Sequence, residues 1–229
     1  MHLFIAEGKK IVDEMLESPG IEVVHVFASG SYYGNKPSTK VTENEMKKIS
    51  ALTTPPNLLA VCRIPAETAV LPDFQKELVL ALDDIRDPGN LGSIIRIADW
   101  FGINTIFCTA ECVDVYNPKT VQASMGSIAR VRVDYGGLPN VLQKCKTNQI
   151  PVYGAKLDGA NMLKETLIPN GMLIIGNEST GISPELSKYI TNAIKIPSYA
   201  HSAISAGAES LNAAMATAIL CAEFRRRES

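Results

Sequence analysis

From Leu78 onward the chain alternates short apolar runs with amphipathic stretches, and this alternation constrains the fold more than any other feature. Apolar runs with no polar face must be buried on both sides, as strands are in a parallel sheet covered by helices on both faces. The expected strands are Leu78 to Leu82, Asn104 to Cys108, Val131 to Asp134, Ile150 to Ala155, Met172 to Ile175 and Ala193 to Ile196. Helices are expected to begin near Leu91, Pro118, Leu138, Pro184 and Ser210. Ser183-Pro184-Glu185 has the order of a helix start, because serine caps free amides and proline at the first position lacks one. In the last helix Leu211, Met215, Ala218, Ile219 and Ala222 fall on one apolar stripe, long enough to serve both a core and a subunit contact.

The segment before Leu78 reads as a smaller α/β unit. Leu3 to Ala6, Ile21 to Ala28 and Leu58 to Ile64 are strand candidates, and Lys10 to Leu16 is a helix candidate. Thr42 with Glu45 three residues later is a capping-box pattern, so a second helix is expected over Val41 to Ala51, ended by Pro55 and Pro56. Pro65 to Phe74 reads as a linker, which divides the chain into residues 1–72 and 73–229.

With 229 residues, 46% of them hydrophobic, the chain can bury a sizeable core. No apolar run approaches the roughly 20 residues of a membrane span, and Met1 to Lys10 has no leader pattern. The five cysteines are scattered without a CxxC pair, which points to reduced thiols in the cytoplasm rather than disulfides or a metal site. A net charge of -2 gives no global footprint of nucleic-acid binding, so an RNA partner would have to use local clusters. Candidates are Lys9 and Lys10, Lys47 and Lys48, Arg130 and Arg132, and Arg225 to Arg227, each of which also reads as an ordinary solvated face.

Ligands of open parallel sheets bind outside the carboxyl ends of the strands, which singles out the loops Asp83 to Gly92, Gly176 to Gly181 and Pro197 to Ser210. No GxGxxG follows the first strand of the sheet and no glycine-rich segment ends in Lys-Ser or Lys-Thr, so dinucleotide and P-loop chemistry are disfavoured. Arg96 sits among Ile94, Ile95, Ile97 and Ala98, where it reads either as half of a structural ion pair or as a ligand for an incoming anion. Gly176 to Gly181 carries Asn177, Glu178, Ser179 and Thr180 between glycines, a polar turn or a close approach to a ligand. Ser210 reads as a plain helix cap and Asn212 as solvent-facing, unless both face the other two loops.

Three stretches carry a family resemblance: DPGNLGSIIRIADWFG (Asp87 to Gly102), LIIGNESTGIS (Leu173 to Ser183), and Ile196-Pro197 followed by ESLNAAMATAIL (Glu209 to Leu220). In that order they resemble the three motifs of SpoU/TrmH-type RNA 2'-O-ribose methyltransferases of the SPOUT class. The first unit resembles the small RNA substrate-binding domain that often precedes this catalytic domain, on weaker patterns such as AEGKKIVDEML (Ala6 to Leu16). The resemblance implies an α/β fold, a mostly parallel sheet with helices on both faces and a C-terminal trefoil knot. It implies S-adenosylmethionine as cofactor, no metal, and a homodimer paired over the site. It implies structured RNA as substrate, ribosomal RNA before transfer RNA. A non-catalytic RNA-binding module on the same fold is the alternative from another class.

Carried over by position, Ala155, Gly176, Ile196 and Leu211 would hold the cofactor, and Asn90, Arg96, Glu178, Ser210 and Asn212 would form the reaction end. The family gives the arginine the role of base. A guanidinium stays protonated near neutrality, so holding an RNA phosphate beside the target ribose is the role its chemistry favours. His2, His25 and His201 fall outside the motif positions, with only His201 in one of the three loops. One departure stands out: Pro197 and Glu209 are twelve positions apart, farther than in the family pattern, and the alanine- and serine-rich Ser198 to Ala208 reads as a lid or an extension.

Overall fold

The computed structural model describes residues 2–32, 34–66, 70–199 and 209–226. These build two sheets. The first is four-stranded, from β1 (Leu3–Glu7), α1 (Lys9–Glu17), β2 (Glu22–Ala28), β3 (Ser38–Lys40), α2 (Glu43–Ile49) and β4 (Leu58–Arg63), with strand order β1-β4-β2-β3. Its second helix is set by the anticipated capping box: the Thr42 hydroxyl accepts the Glu45 N–H, and the Glu45 carboxylate accepts the Thr42 N–H at 2.7 Å. β3 was not foreseen, because Ser-Thr-Lys is polar and exposed at every position and has no periodicity to detect.

The second sheet follows from β5 (Leu78–Leu82), α3 (Pro88–Trp100), β6 (Thr105–Cys108), α4 (Pro118–Ser124), β7 (Arg132–Tyr135), α5 (Leu138–Thr147), β8 (Val152–Asn161), β9 (Gly171–Ile175), α6 (Pro184–Ser187), β10 (Asn192–Lys195) and α7 (Ala213–Arg226). Its order is β10-β8-β9-β5-β6-β7, with every pairing parallel. The chain leaves β5 towards β6 and β7, then crosses to the other side for β8, β9 and β10. β5 and β9 therefore flank the point where the winding reverses, the place where open α/β sheets receive their ligands.

β5 and β9 are buried at every residue, as their unbroken apolar runs require. Val79, Ala81, Met172 and Ile174 face Leu138, Val141, Leu142 and Leu186 of α5 and α6. Leu78, Leu80, Leu82, Leu173 and Ile175 face Leu91, Ile94, Ile95 and Ala98 of α3 and Leu220 and Phe224 of α7. That second cluster continues into Phe4, Ile11, Met15 and Val26, so one apolar core runs through both sheets.

Two expected helix starts move. α3 begins at Pro88 rather than near Leu91, because Asp87 caps it by accepting the Asn90 N–H at 2.8 Å and proline follows as the first helical residue. α7 begins at Ala213 rather than Ser210: the cap is Asn212, whose Oδ1 accepts the N–H groups of Ala214 and Met215 at 3.0 and 3.3 Å. β8 is longer than expected, running on from Gly154 to Asn161 after its pairing with β9 has ended. The anticipated stripe on α7 is present but turned outward, with Leu211, Met215 and Ile219 exposed, while Ala213, Ala214, Thr217, Leu220, Cys221 and Phe224 form the buried face. The segment implied to be knotted passes through residues 200–208; that stretch, with His201, and Arg227 lie outside the described residues.

Candidate active site

At the carboxyl ends of β5 and β9 two loops are stitched together. Asp83, just past β5, is buried; its N–H donates to the Ile175 carbonyl and its carboxylate accepts the Ser183 N–H at 2.7 Å. Asp84 follows in the left-handed region at φ 58°, a conformation that aspartate tolerates better than most residues. Its N–H donates to the Thr109 hydroxyl at 3.1 Å. Below it the Cys112 thiol donates to the Leu82 carbonyl and accepts the Ile85 N–H. A hydrogen bond from the Cys108 thiol, followed by those from Ile85 and Thr109, pulls Cys112 down to about 7 against the opposing effect of burial, while Cys108 itself is pushed up.

After β9 the chain makes a tight turn in which Asn177 and Gly181 exchange two backbone hydrogen bonds. Gly176 is required here: a Cβ on it would lie 2.3 Å from the Gly181 carbonyl carbon. The turn presents Glu178 to α3, where its carboxylate accepts the side-chain amide of Asn90. The Asn90 carbonyl oxygen in turn accepts the Asn212 side-chain amide at 2.7 Å. Ser210 reaches the Glu178 backbone carbonyl at 3.5 Å, the outer limit of a hydrogen bond. Asn90, Glu178, Ser210 and Asn212 are therefore brought together from three loops, and the reading of Asn212 as merely solvent-facing is replaced by a dual role as helix cap and network member.

Arg96 stands apart from this network. It lies six residues after Asn90 along α3, about 9 Å up the axis and a third of a turn around it. It is exposed and makes no hydrogen bond or ion pair among the described residues, so the structural ion-pair reading of this arginine falls. Arg130 behaves in the opposite way, gripped by Asp99 at 2.9 Å and by Glu14, and Arg132 pairs with Asp134. Those two arginines are engaged in holding the fold rather than forming an open basic patch.

Ala155, Gly176 and Ile196 occupy equivalent places on three neighbouring strands. Each directly follows the last residue of its strand's ladder, Gly154 towards β9, Ile175 and Lys195 respectively. All three are half-buried, and Leu211 is exposed just before α7. The backbone N–H groups of Gly176, Ile196 and Leu211 have no backbone partner among the described residues. The half-buried apolar side chains of Ala155 and Ile196, beside amides that no described backbone carbonyl engages, suit the faces and edge of a purine ring, so the residues present fit the adenosine of S-adenosylmethionine. Among the described residues no group of three His, Cys, Asp or Glu side chains is placed to hold a metal ion.

Sequence reasoning placed Asp83, Asp84 and Asn177 within the candidate loops but gave none of them a role, and it passed over Cys112. The Asp-Asp pair directly after an apolar strand was the available signal for the first two, since a carboxylate at a strand's carboxyl end has loop amides within reach.

Residues 77–222 match the model of the SpoU rRNA Methylase family. The chain is 31% identical, over 97% of its length and 88% of the relative's, to the Bacillus subtilis 23S rRNA (guanosine(2553)-2'-O)-methyltransferase RlmP. A TrmH-family protein from Porphyromonas gingivalis superposes with a TM-score of 0.84 at 38% identity, over 99% of this chain and 90% of that one. The AdoMet-bound rRNA methyltransferase of Sinorhizobium meliloti does so with a TM-score of 0.82 at 26% identity, over 98% and 87%. The fold, the motif stretches and these likenesses agree: the chain belongs to the SpoU rRNA methylase family.

Proposed function

We propose that this protein is an S-adenosylmethionine-dependent methyltransferase that modifies a ribose 2'-hydroxyl in ribosomal RNA. The observation that carries the reading is the Asn90–Glu178–Asn212 network, drawn from three separate loops at the winding reversal of the sheet. The likeness to RlmP, a 23S rRNA methyltransferase, extends over 97% of the chain and so through the first sheet, which favours ribosomal RNA as the substrate.

The cofactor supplies a methyl group already activated on a positive sulfonium, so the chain's task is alignment and charge management. Ala155, Gly176, Ile196 and Leu211 hold the adenosine. Asn90 and Asn212, locked by each other and by Glu178, orient the ribose. Arg96 binds a phosphate next to the target and stabilises alkoxide character on the 2'-oxygen as its proton passes to solvent water. The first unit, residues 1–72, binds RNA, and the cofactor pocket belongs to the C-terminal region for which the family resemblance implies a trefoil knot.

The enzyme acts as a homodimer in the cytoplasm. Met215 and Ile219 form an exposed apolar stripe on α7, a helix packed against α3, and Trp100 at the end of α3 is 84% exposed. Pairing of two copies through these helices covers that surface. All five cysteines are buried and unbridged, in keeping with a reducing compartment.

Incubation with methyl-labelled S-adenosylmethionine and unmodified ribosomal RNA should label a single nucleotide. Arg96→Ala should lower the rate about a hundredfold or more, the scale of losing one charge-stabilising group. Absence of label in every RNA offered, with the cofactor bound, would favour the non-catalytic RNA-binding alternative.

A further inference from the structure

We infer that Asn177 is a positioning residue for methyl transfer: its side-chain amide locks the Gly176–Gly181 turn onto Asp84 and so fixes Glu178 against Asn90. The inference rests on the proposed function and adds to it a residue outside the reaction end.

Asn177 uses both ends of its amide. Its Nδ2 donates to the Asp84 carbonyl at 2.8 Å and approaches the Asp84 carboxylate at 3.4 Å. Its Oδ1 accepts the N–H groups of Ser179 and Thr180 at 2.9 and 3.3 Å. The donor ties the turn to the other loop, and the acceptor organises the turn itself.

The anchoring point is held without help from Asn177. The Asp84 N–H is fixed by Thr109 and its carboxylate by Arg86 at 2.6 Å. The turn is thus fastened to a part of the molecule that stays put. Glu178 is the next residue along, so the orientation of the turn decides whether its carboxylate meets the Asn90 amide. Aspartate offers no donor and would face the Asp84 oxygens, alanine offers neither group, and glutamine is longer by one methylene. A misplacement of about 1 Å at such a distance from the chemistry is enough to cost roughly a hundredfold in rate.

The test compares Asn177→Ala, Asn177→Asp and the double variant Asn177→Asp with Asp84→Asn. In the ligand-free protein, the backbone amides of Ser179 and Thr180 should exchange faster in Asn177→Ala, and the Asn90 side-chain amide resonances should move. In methyl transfer, kcat of Asn177→Asp should fall about a hundredfold with KM for RNA nearly unchanged. Asp84→Asn should recover up to about tenfold of that loss, by removing the repulsion between two carboxylates across the 3.4 Å side-chain contact while the bond to the Asp84 backbone carbonyl stays lost. Unchanged exchange at Ser179 and Thr180, or kcat of Asn177→Ala within about threefold of wild type, overturns the inference. So does a folded Asn177→Asp that Asp84→Asn fails to improve. Should Asn177→Asp not fold, the exchange and kcat of Asn177→Ala decide. A wild-type protein that methylates no RNA sinks the proposed function instead, and the exchange measurement then still reports on whether Asn177 holds the turn.

Discussion

Arg96 and Arg130 show how much of a residue's role lies in its partners. Both are arginines beside apolar sequence, yet Arg130 is held between Asp99 and Glu14 while Arg96 extends from α3 with no partner among the described residues. An exposed guanidinium without a protein partner is suited to a phosphate, and the planar fork rather than the charge alone gives it direction. Arg96→Lys is therefore expected to be as defective as Arg96→Ala in single-turnover methyl transfer; full activity in the lysine variant would sink the fork argument. Gly176 makes the complementary case, where the absence of a side chain is what matters. In Gly176→Ala the new Cβ meets backbone that cannot rotate away, which should cost about 1–3 kcal/mol and displace the Glu178 turn. The expected outcome is a lower thermal midpoint together with weaker S-adenosylmethionine binding by calorimetry. Asn90, Glu178, Ser210 and Asn212 could be read from the sequence because a resemblance named their positions. Asn177 could not, since nothing in a polar loop shows which amide will bridge to a residue 93 positions away.

Among the elements, β5 and β9 were plain in the sequence because burial on both faces leaves an unbroken apolar run, whereas β3 left no pattern at all. α7 lies between these cases. Its periodicity announces an apolar stripe, but alanine, leucine and isoleucine occur all round the helix, and periodicity alone does not say which stripe meets the core. The structure buries the face containing Ala213, Ala214 and Thr217, small residues that let α7 lie close to α3, and Arg225 fastens its far end by donating to the Phe101 carbonyl at 2.7 Å. The larger residues of the sequence-predicted stripe are left outside. A charge at its centre should then separate two subunits without unfolding either. Met215→Asp is expected to sediment as a 24.7 kDa species with an unchanged circular dichroism spectrum, against twice that mass for the wild type. Equal masses for the two proteins would remove α7 from the interface.

For the whole molecule, the linker visible in the sequence suggested two separate units, yet their apolar cores are continuous and Arg130 joins α1 to α3 across them. That continuity was hidden because contacts between units leave no periodic trace. It has a consequence for stability, since buried thiols are spread across the structure: Cys62 in β4, Cys145 in α5 and Cys221 in α7. Burial pushes them up from the usual 9.0 to about 12, 11 and 12 respectively. A raised acid favours the folded state while it stays protonated, so this contribution is complete below pH 9. Above pH 9 the unfolded chain releases these protons and the folded chain does not, so stability falls until the folded values near 11 to 12 are reached. Each thiol contributes up to about 1.4 kcal/mol per pH unit in that window, and the raised Tyr116 and Tyr135 hydroxyls act in the same sense. In the presence of a reductant, the urea midpoint should be markedly lower at pH 10 than at pH 8, with one transition for both sheets. Cys62→Ala should be less sensitive to the pH change than the wild type even though it starts from lower stability. Midpoints that coincide at the two pH values would mean that the unfolded chain holds its thiol protons as tightly as the native core does.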